Sequence, residues 1–245
     1  GGWVGDPFDT HPRNITQKPA AFLNALEAAL PEENSYALAW KDWCETSEGR
    51  YQQIKSELPW SEWTALEYIF NNMPQGITLQ LGNSMPVRYA AWLCPRNTNA
   101  VFANRGSSGI DGSVSTALGY ALAHPDEQVL LITGDISFFY DSNALWIDEK
   151  PENLRIIVLN NSGGNIFRII DGPGKLQVTQ KYLVMEAQRS AVELAKSLHC
   201  SARSYHELPG EHELNNFFHE KGPVVMELQF PADSGPSVLE IIKGT

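Results

Sequence analysis

The sequence predicts an α/β fold: a parallel sheet flanked by helices, with a helical extension on its N-terminal side. Three observations carry that prediction. Runs dominated by apolar and β-branched residues, VLLIT at 129–133, LRIIVL at 154–159 and VVMEL at 224–228, read as strands buried on both faces. Helical stretches separate such runs, which is the pattern of parallel strands joined by crossovers. The first two runs end in Gly134-Asp135 and Asn160-Asn161, at the carboxyl ends where such sheets place ligand groups.

Taken in order, the chain opens on GGWVGDPFDTHPRNIT, a turn-rich stretch without helical periodicity. Residues 1–18 read as the tail of a preceding domain or a linker, and residues 19–245 as one domain. Pro19 opens a helix whose Phe22, Leu23, Leu26 and Leu30 recur at the spacing of a core-facing stripe. After Pro31–Ser35 a second helix runs from about Tyr36 to Leu58, with Trp40, Trp43 and Tyr51 as packing residues. Pro59 breaks it, and WSEWTALEYIFNNM forms a third helix that ends at the Pro74-Gln75-Gly76 turn. ITLQLGN is the first strand, and Asn83-Ser84 caps the next helix with Pro86 in its first turn. AVFANR is the second strand, delivering Asn104 and Arg105. A helix from near Gly109 carries small residues (Gly112, Ser115, Thr116, Gly119) that permit close packing. VLLITGD, the helical SFFYDSNALW and LRIIVLNN follow as one βαβ unit. Beyond Phe167, RIIDGPGKLQVTQ reads as mobile or as closing over the strand ends. SAVELAKSLH is a helix, SARSYH a strand, ELNNFFHE a helix and GPVVMELQF the last strand.

Composition narrows the function classes. Hydrophobic residues make up 42% and charged residues 19%, ordinary values for a globular protein. The net charge of −11 argues against a nucleic-acid surface, whose affinity comes from cations neutralising phosphates. No apolar run reaches the roughly 20 residues of a membrane span, and no signal peptide is visible. Cys44, Cys94 and Cys200 lie far apart, without the spacing of a zinc site or a disulfide framework, and free thiols suit a cytoplasmic setting. His206 and His212 sit in a polar stretch and read as surface residues. Neither a GxGxxG nor a GxxxxGK[ST] loop is present, which speaks against ordinary dinucleotide or P-loop binding.

Asp135 and Asn161 end neighbouring strands and so reach one sheet edge. Mg²⁺ takes about six oxygen ligands, with one or two carboxylates among them. Asp135 supplies a carboxylate and Asn161 an amide oxygen. The Ser162-Gly163-Gly164 loop can turn the Gly163 carbonyl inward, because glycine tolerates backbone angles others avoid. A cation held there would anchor a diphosphate, with main-chain N–H groups after Gly134 donating to it at a helix start. The same residues would also suit an Asp N-cap followed by an unconnected Asn-Asn turn.

The GD…NN pair, with LGNSMPVRYAAW, FANRGSSGIDGSVSTALGYALA and LNNSGGNIF around it, resembles the diphosphate–Mg²⁺ motif of the thiamine diphosphate enzymes. Within that family the text looks most like the menaquinone-pathway carboligase branch, strongly from about Trp63 to Phe167. Ile136 departs from the wider family, in which many members carry glycine. The resemblance implies the family's thiamine diphosphate-binding fold and the diphosphate-binding part of a longer enzyme. It places cation ligands at Asp135, Asn161 and Gly163, for Mg²⁺ or Mn²⁺. It places cofactor contacts at Ser108, Gly109 and Ile110, at Gly134, Asp135, Ile136 and Ser137, and at Asn161, Gly163, Gly164, Ile166 and Phe167.

Ile110 matches the bulky residue that keeps the cofactor bent, although a helix-start isoleucine also suits a plain core. The branch decarboxylates 2-oxoglutarate and adds the succinyl carbanion to isochorismate. Arg88 and Arg105 would meet these anions at the strand ends, since arginine pairs bidentately with carboxylates; salt bridges on the sheet rim are the alternative. Asn83 and Ser84 could bind substrate oxygens, though capping alone explains both. The family's activating glutamate lies in a separate N-terminal domain of a neighbouring subunit, which implies a homo-oligomer, dimer or tetramer. Nothing in this chain matches that domain, so no catalytic acid is assigned within it and the chain is expected to be inactive alone. Two other readings are an acetohydroxyacid synthase-like or oxalyl-CoA decarboxylase-like enzyme and a non-catalytic nucleotide-binding module.

Overall fold

The computed structural model describes residues 15–30, 34–170, 172–186 and 189–244. The expected tail lies almost wholly outside the described residues. The chain forms two compact units, Gly1–Gln53 and Ile54–Thr245.

The first unit holds α1 (Pro19–Ala29) and nearly all of α2 (Ser35–Ile54). Asn34 Oδ1 accepts from the N–H groups of Tyr36 and Ala37 at 3.1 and 3.2 Å, capping α2. The second helix ends four residues earlier than its sequence predicts, passing into a 3₁₀ turn at Lys55–Glu57. The expected core-facing stripe is not buried. Leu23, Leu26 and Leu30 are exposed, and Trp40 and Trp43 stack on each other at 5.1 Å while remaining more than half exposed. An apolar stripe is covered only by a second layer broad enough to span it. Periodicity marks these helices without deciding what covers them.

The second unit is built on six strands: β1 (Ile77–Leu81), β2 (Thr98–Ala103), β3 (Val129–Gly134), β4 (Leu154–Asn160), β5 (Ser201–Tyr205) and β6 (Val224–Gln229). All neighbours are parallel, in the order β2-β1-β3-β4-β6-β5. The helices before, between and after them are α3 (Glu62–Asn72), α4 (Met85–Leu93), α5 (Ser113–Ala123), α6 (Asp135–Asp141), α7 (Ile166–Ile169), α8 (Ala191–Ser197), α9 (Glu211–His219) and α10 (Ser234–Gly244). On one face, Val129 and Leu131 of β3 and Leu154, Ile156 and Val158 of β4 pack with α5, α8 and Phe138 of α6. Leu130, Ile132 and Ile157 alternate to the opposite face and are equally buried. Burial on both faces is why these strands read as continuous apolar runs.

The β1–β2 and β1–β3 pairings take the chain in opposite directions across the sheet. The carboxyl edge of β1 and β3 is therefore a topological switch point. Gly134 pairs with Leu159, so the residues just past both strands emerge at that edge. Two boundaries differ from expectation. The helix expected from Gly109 begins at Ser113, because Gly112 takes a left-handed φ of 77° and holds 104–112 as a loop. The final helix, α10, has no counterpart in the sequence reading. Beyond Phe167 the chain makes short helical turns, including a π-helical one at Thr179–Val184. Among the described residues no helix is long and apolar enough to cross a membrane.

Candidate functional site

Asp135 is the first residue of α6, and Asn161 follows β4 directly; both are buried. Together with Glu62, Ser84, Gly134, Gly163 and Asn165 they line a cavity of about 40 Å³, room for one ion or water. Burial pushes the Asp135 carboxyl up to about 7, although the N–H groups of Ile136, Asp135 and Gly163 and the Arg189 charge act the other way. Asn161 Oδ1 is buried and meets no donor among the described residues. The Gly163 carbonyl accepts from Asn165 N–H at 3.1 Å and keeps a second lone pair. A buried carboxylate, an orphaned amide oxygen and a main-chain carbonyl form the oxygen donor set that a hard divalent cation takes. The residues present fit such an ion.

Gly163 is required by close approach. A Cβ there would lie 2.6 Å from Val184 O and 2.9 Å from Val184 Cγ1, at a φ of 150°. The neighbouring Gly164 N–H donates to the same Val184 carbonyl at 2.8 Å. The turns at 179–184 are thus seated directly on the loop. Phe167 leans over Gly164, and both Ile166 and Phe167 are half-buried.

The sequence reading missed the residue that ties this edge together. Glu62 begins α3, where the Ser61/Thr64 capping box fixes the first turn. Its side chain is fully buried, and Oε1 accepts from Asn161 Nδ2 at 2.7 Å and from Asn165 Nδ2 at 3.5 Å. Burial raises its pKa, partly offset by the hydrogen bonds from Asn161 and Asn165. Arg168 in turn donates to Asn165 Oδ1 and, at 2.5 Å, to Ala232 O. Ninety-nine residues separate Glu62 from Asn161, so local text carries no signal of this contact.

The β1–α4 turn gathers the second group of expected residues. Asn83 is buried and its amide is fully engaged: Nδ2 donates to Asn104 O at 2.6 Å and to Gly109 O, and Oδ1 accepts from Arg105 Nη1 at 3.1 Å. Arg88 Nη1 donates to Ser84 O at 2.6 Å. The two arginines therefore lie at adjacent residues of one turn, and among the described residues neither forms an ion pair. Ser84 makes no side-chain cap and sits at a φ of 75°, so the expected cap at this position is not formed.

Ser108 also lies at positive φ, 57°, and is exposed, while Ile110 is half-buried with its carbonyl accepting from Ser137 Oγ. Ser137 is further tied to Ser113 Oγ at 3.1 Å. Asp141 accepts from Ser115 N–H and Oγ at 2.6 and 3.0 Å, holding the first turn of α5. A larger cavity, about 540 Å³ between α3 and α9, contains none of the expected site residues.

A parallel sheet with a switch point thus carries an oxygen-donor cavity beside a glycine loop at its carboxyl edge, where α/β domains bind ligands. The model of the thiamine pyrophosphate enzyme C-terminal TPP binding domain matches residues 82–228, and the chain belongs to that family. Among curated proteins, the 2-succinyl-5-enolpyruvyl-6-hydroxy-3-cyclohexene-1-carboxylate synthase of Christiangramia forsetii is 38% identical over 198 residues, covering 78% of this chain and 31% of the relative. The synthase of the same name from Cytophaga hutchinsonii is 54% identical over 121 residues, 49% of this chain and 22% of the relative. That of Flavobacterium psychrophilum is 40% identical over 195 residues, 78% and 35%. The chain spans about a third or less of the length of these relatives.

Proposed function

We propose that this chain is the cofactor-holding part of a thiamine diphosphate-dependent 2-succinyl-5-enolpyruvyl-6-hydroxy-3-cyclohexene-1-carboxylate synthase, and that it holds the diphosphate through Mg²⁺ or Mn²⁺. The observation that carries the reading is the convergence on one cavity at the switch point of Asp135 and of Asn161 Oδ1, which meets no donor among the described residues. Asp135, Asn161 Oδ1 and the Gly163 carbonyl hold the cation. The bound cofactor supplies the electron sink that lets a 2-oxo acid lose carbon dioxide. Arg88 and Arg105 receive the carboxylates of 2-oxoglutarate and isochorismate, and Ser84 lies beside them. Asn83 keeps Arg105 and the 104–110 loop in place, its amide being engaged within the protein. Ile110 supports the cofactor, while Ile166 and Phe167 exclude water above the glycine loop.

The activating acid is supplied by a neighbouring subunit of a homo-oligomer. The free cysteines suit the cytoplasm.

Calorimetry of this protein with thiamine diphosphate and Mg²⁺, beside ATP and NAD, tests the cofactor. Carbon dioxide release from 2-oxoglutarate with isochorismate present, in the intact protein, tests the reaction. Binding of ATP or NAD in preference to thiamine diphosphate would refute the reading.

A further inference from the structure

We propose that Glu62 is a positioning residue for the cation site: its Oε1 holds the Asn161 amide so that Oδ1 faces the ion and Nδ2 does not. The inference rests on the cation reading above. An asparagine amide is nearly symmetric in shape but not in charge. Presented by its oxygen it ligates a cation; presented by its NH₂ it repels one. Nothing in the β4–glycine loop text decides which end turns inward.

Glu62 decides it. An ionised carboxylate has no proton to donate to an amide oxygen, so the 2.7 Å contact to Asn161 commits Nδ2 to the Glu62 side. The other branch of the amide, Oδ1, is left buried and without a donor among the described residues, in the cavity that Asp135 also lines. Glu62 is held for this task from both ends. The capping box fixes its backbone, with Ser61 N–H to Thr64 Oγ1 at 3.0 Å and Thr64 N–H to Ser61 Oγ at 3.3 Å. The Asn165 amide approaches the same Oε1 at 3.5 Å and is itself anchored by Arg168. Outer contacts of this kind, which orient a ligand without touching the metal, are worth about 10–100-fold in metal affinity.

The test is Mn²⁺ titration of the intact protein in the presence of thiamine diphosphate, followed by electron paramagnetic resonance of the free ion. Glu62→Met removes the acceptor at similar volume and should weaken Mn²⁺ binding about 10–100-fold. Glu62→Gln can still offer an oxygen and should stay within about threefold of the parent, well inside that range. The decisive arm uses Asn161→Asp, whose two oxygens are equivalent and need no orientation. In that background Glu62→Met should weaken Mn²⁺ binding by less than about threefold, well below its effect in the parent.

An equal loss with Glu62→Met in both backgrounds would make Glu62 a structural residue only. A tenfold or larger loss with Glu62→Gln in the parent, where an accepting oxygen is kept, would also overturn the proposal. That arm remains readable if the methionine variant does not fold. A parent protein that takes up no Mn²⁺ with the cofactor refutes the cation reading itself, a result separate from any variant.

Discussion

Replacing Asp135 by asparagine should make the metal-free protein more stable at high pH and yet unable to use a cation. The carboxyl titrates at about 7 in the folded chain, against 3.8 in its ordinary state, because burial disfavours the charged form. Between those two values the folded state holds a proton that the unfolded state has released, so stability falls as pH rises. The penalty is absent near pH 4 and complete above about pH 7, where it reaches about 4 kcal/mol at 1.36 kcal/mol per pH unit. Asparagine carries no such penalty, but it accepts less well from the Ile136 and Gly163 N–H groups, a loss of about 1 kcal/mol.

The net gain should therefore be about 3 kcal/mol at pH 8 and close to zero at pH 5, or roughly 6–12 °C in Tm at the higher pH for a domain of this size. Thermal denaturation of the chelator-treated intact protein at both pH values reads the difference directly. Adding Mg²⁺ with thiamine diphosphate should raise the Tm of the parent and leave the variant where it was. A Tm difference that does not change between pH 5 and pH 8 would refute the electrostatic reasoning. An equal gain of both proteins with cofactor would refute the ligand assignment.

Gly163→Ala drives a methyl to within 2.6 Å of Val184 O, and should cost about 1–3 kcal/mol along with cation-dependent cofactor retention; denaturation and calorimetry check it, and a neutral variant would refute it. Arg88→Lys and Arg105→Lys replace a planar fork by a point charge, and should raise KM for the oxo acid about tenfold or more with cofactor affinity unchanged. Kinetics equal to the parent would remove both from the substrate site. Asn83→Ala deletes the three side-chain bonds that hold the 104–110 loop, and faster hydrogen exchange across that loop is expected, with unaltered exchange refuting the clasp.

The division between chain text and tertiary structure follows from the range of the forces involved. Strands β3, β4 and β6 were legible because burial on both faces writes itself as an unbroken apolar run, and Asp135 and Asn161 because such strands end at a common edge. Helix α3 and its stop were legible from the Pro59 break and the Pro74-Gln75-Gly76 turn. Local text could not say what covers the apolar stripe of α1, because a stripe records only that a partner layer would be favourable. It also could not place the start of α5, where the left-handed φ of Gly112 extends a loop beyond the Gly109 start that the sequence suggests.

Glu62 is the sharpest case. From the sequence it is one acidic residue in the first turn of an amphipathic helix, where an acid is favoured by the helix dipole alone. Only the packing of α3 against the carboxyl edge carries it to Asn161 and buries it there. Asn83 reads in the same way, as a cap or a substrate ligand from the sequence and as the internal clasp of Arg105 and the 104–110 loop in the fold. The sequence by itself determined which groups could meet a cation and an anionic cofactor, since donor chemistry belongs to residue type. Which end of the Asn161 amide turns into the cavity beside Asp135 was decided by a contact between residues far apart in the chain.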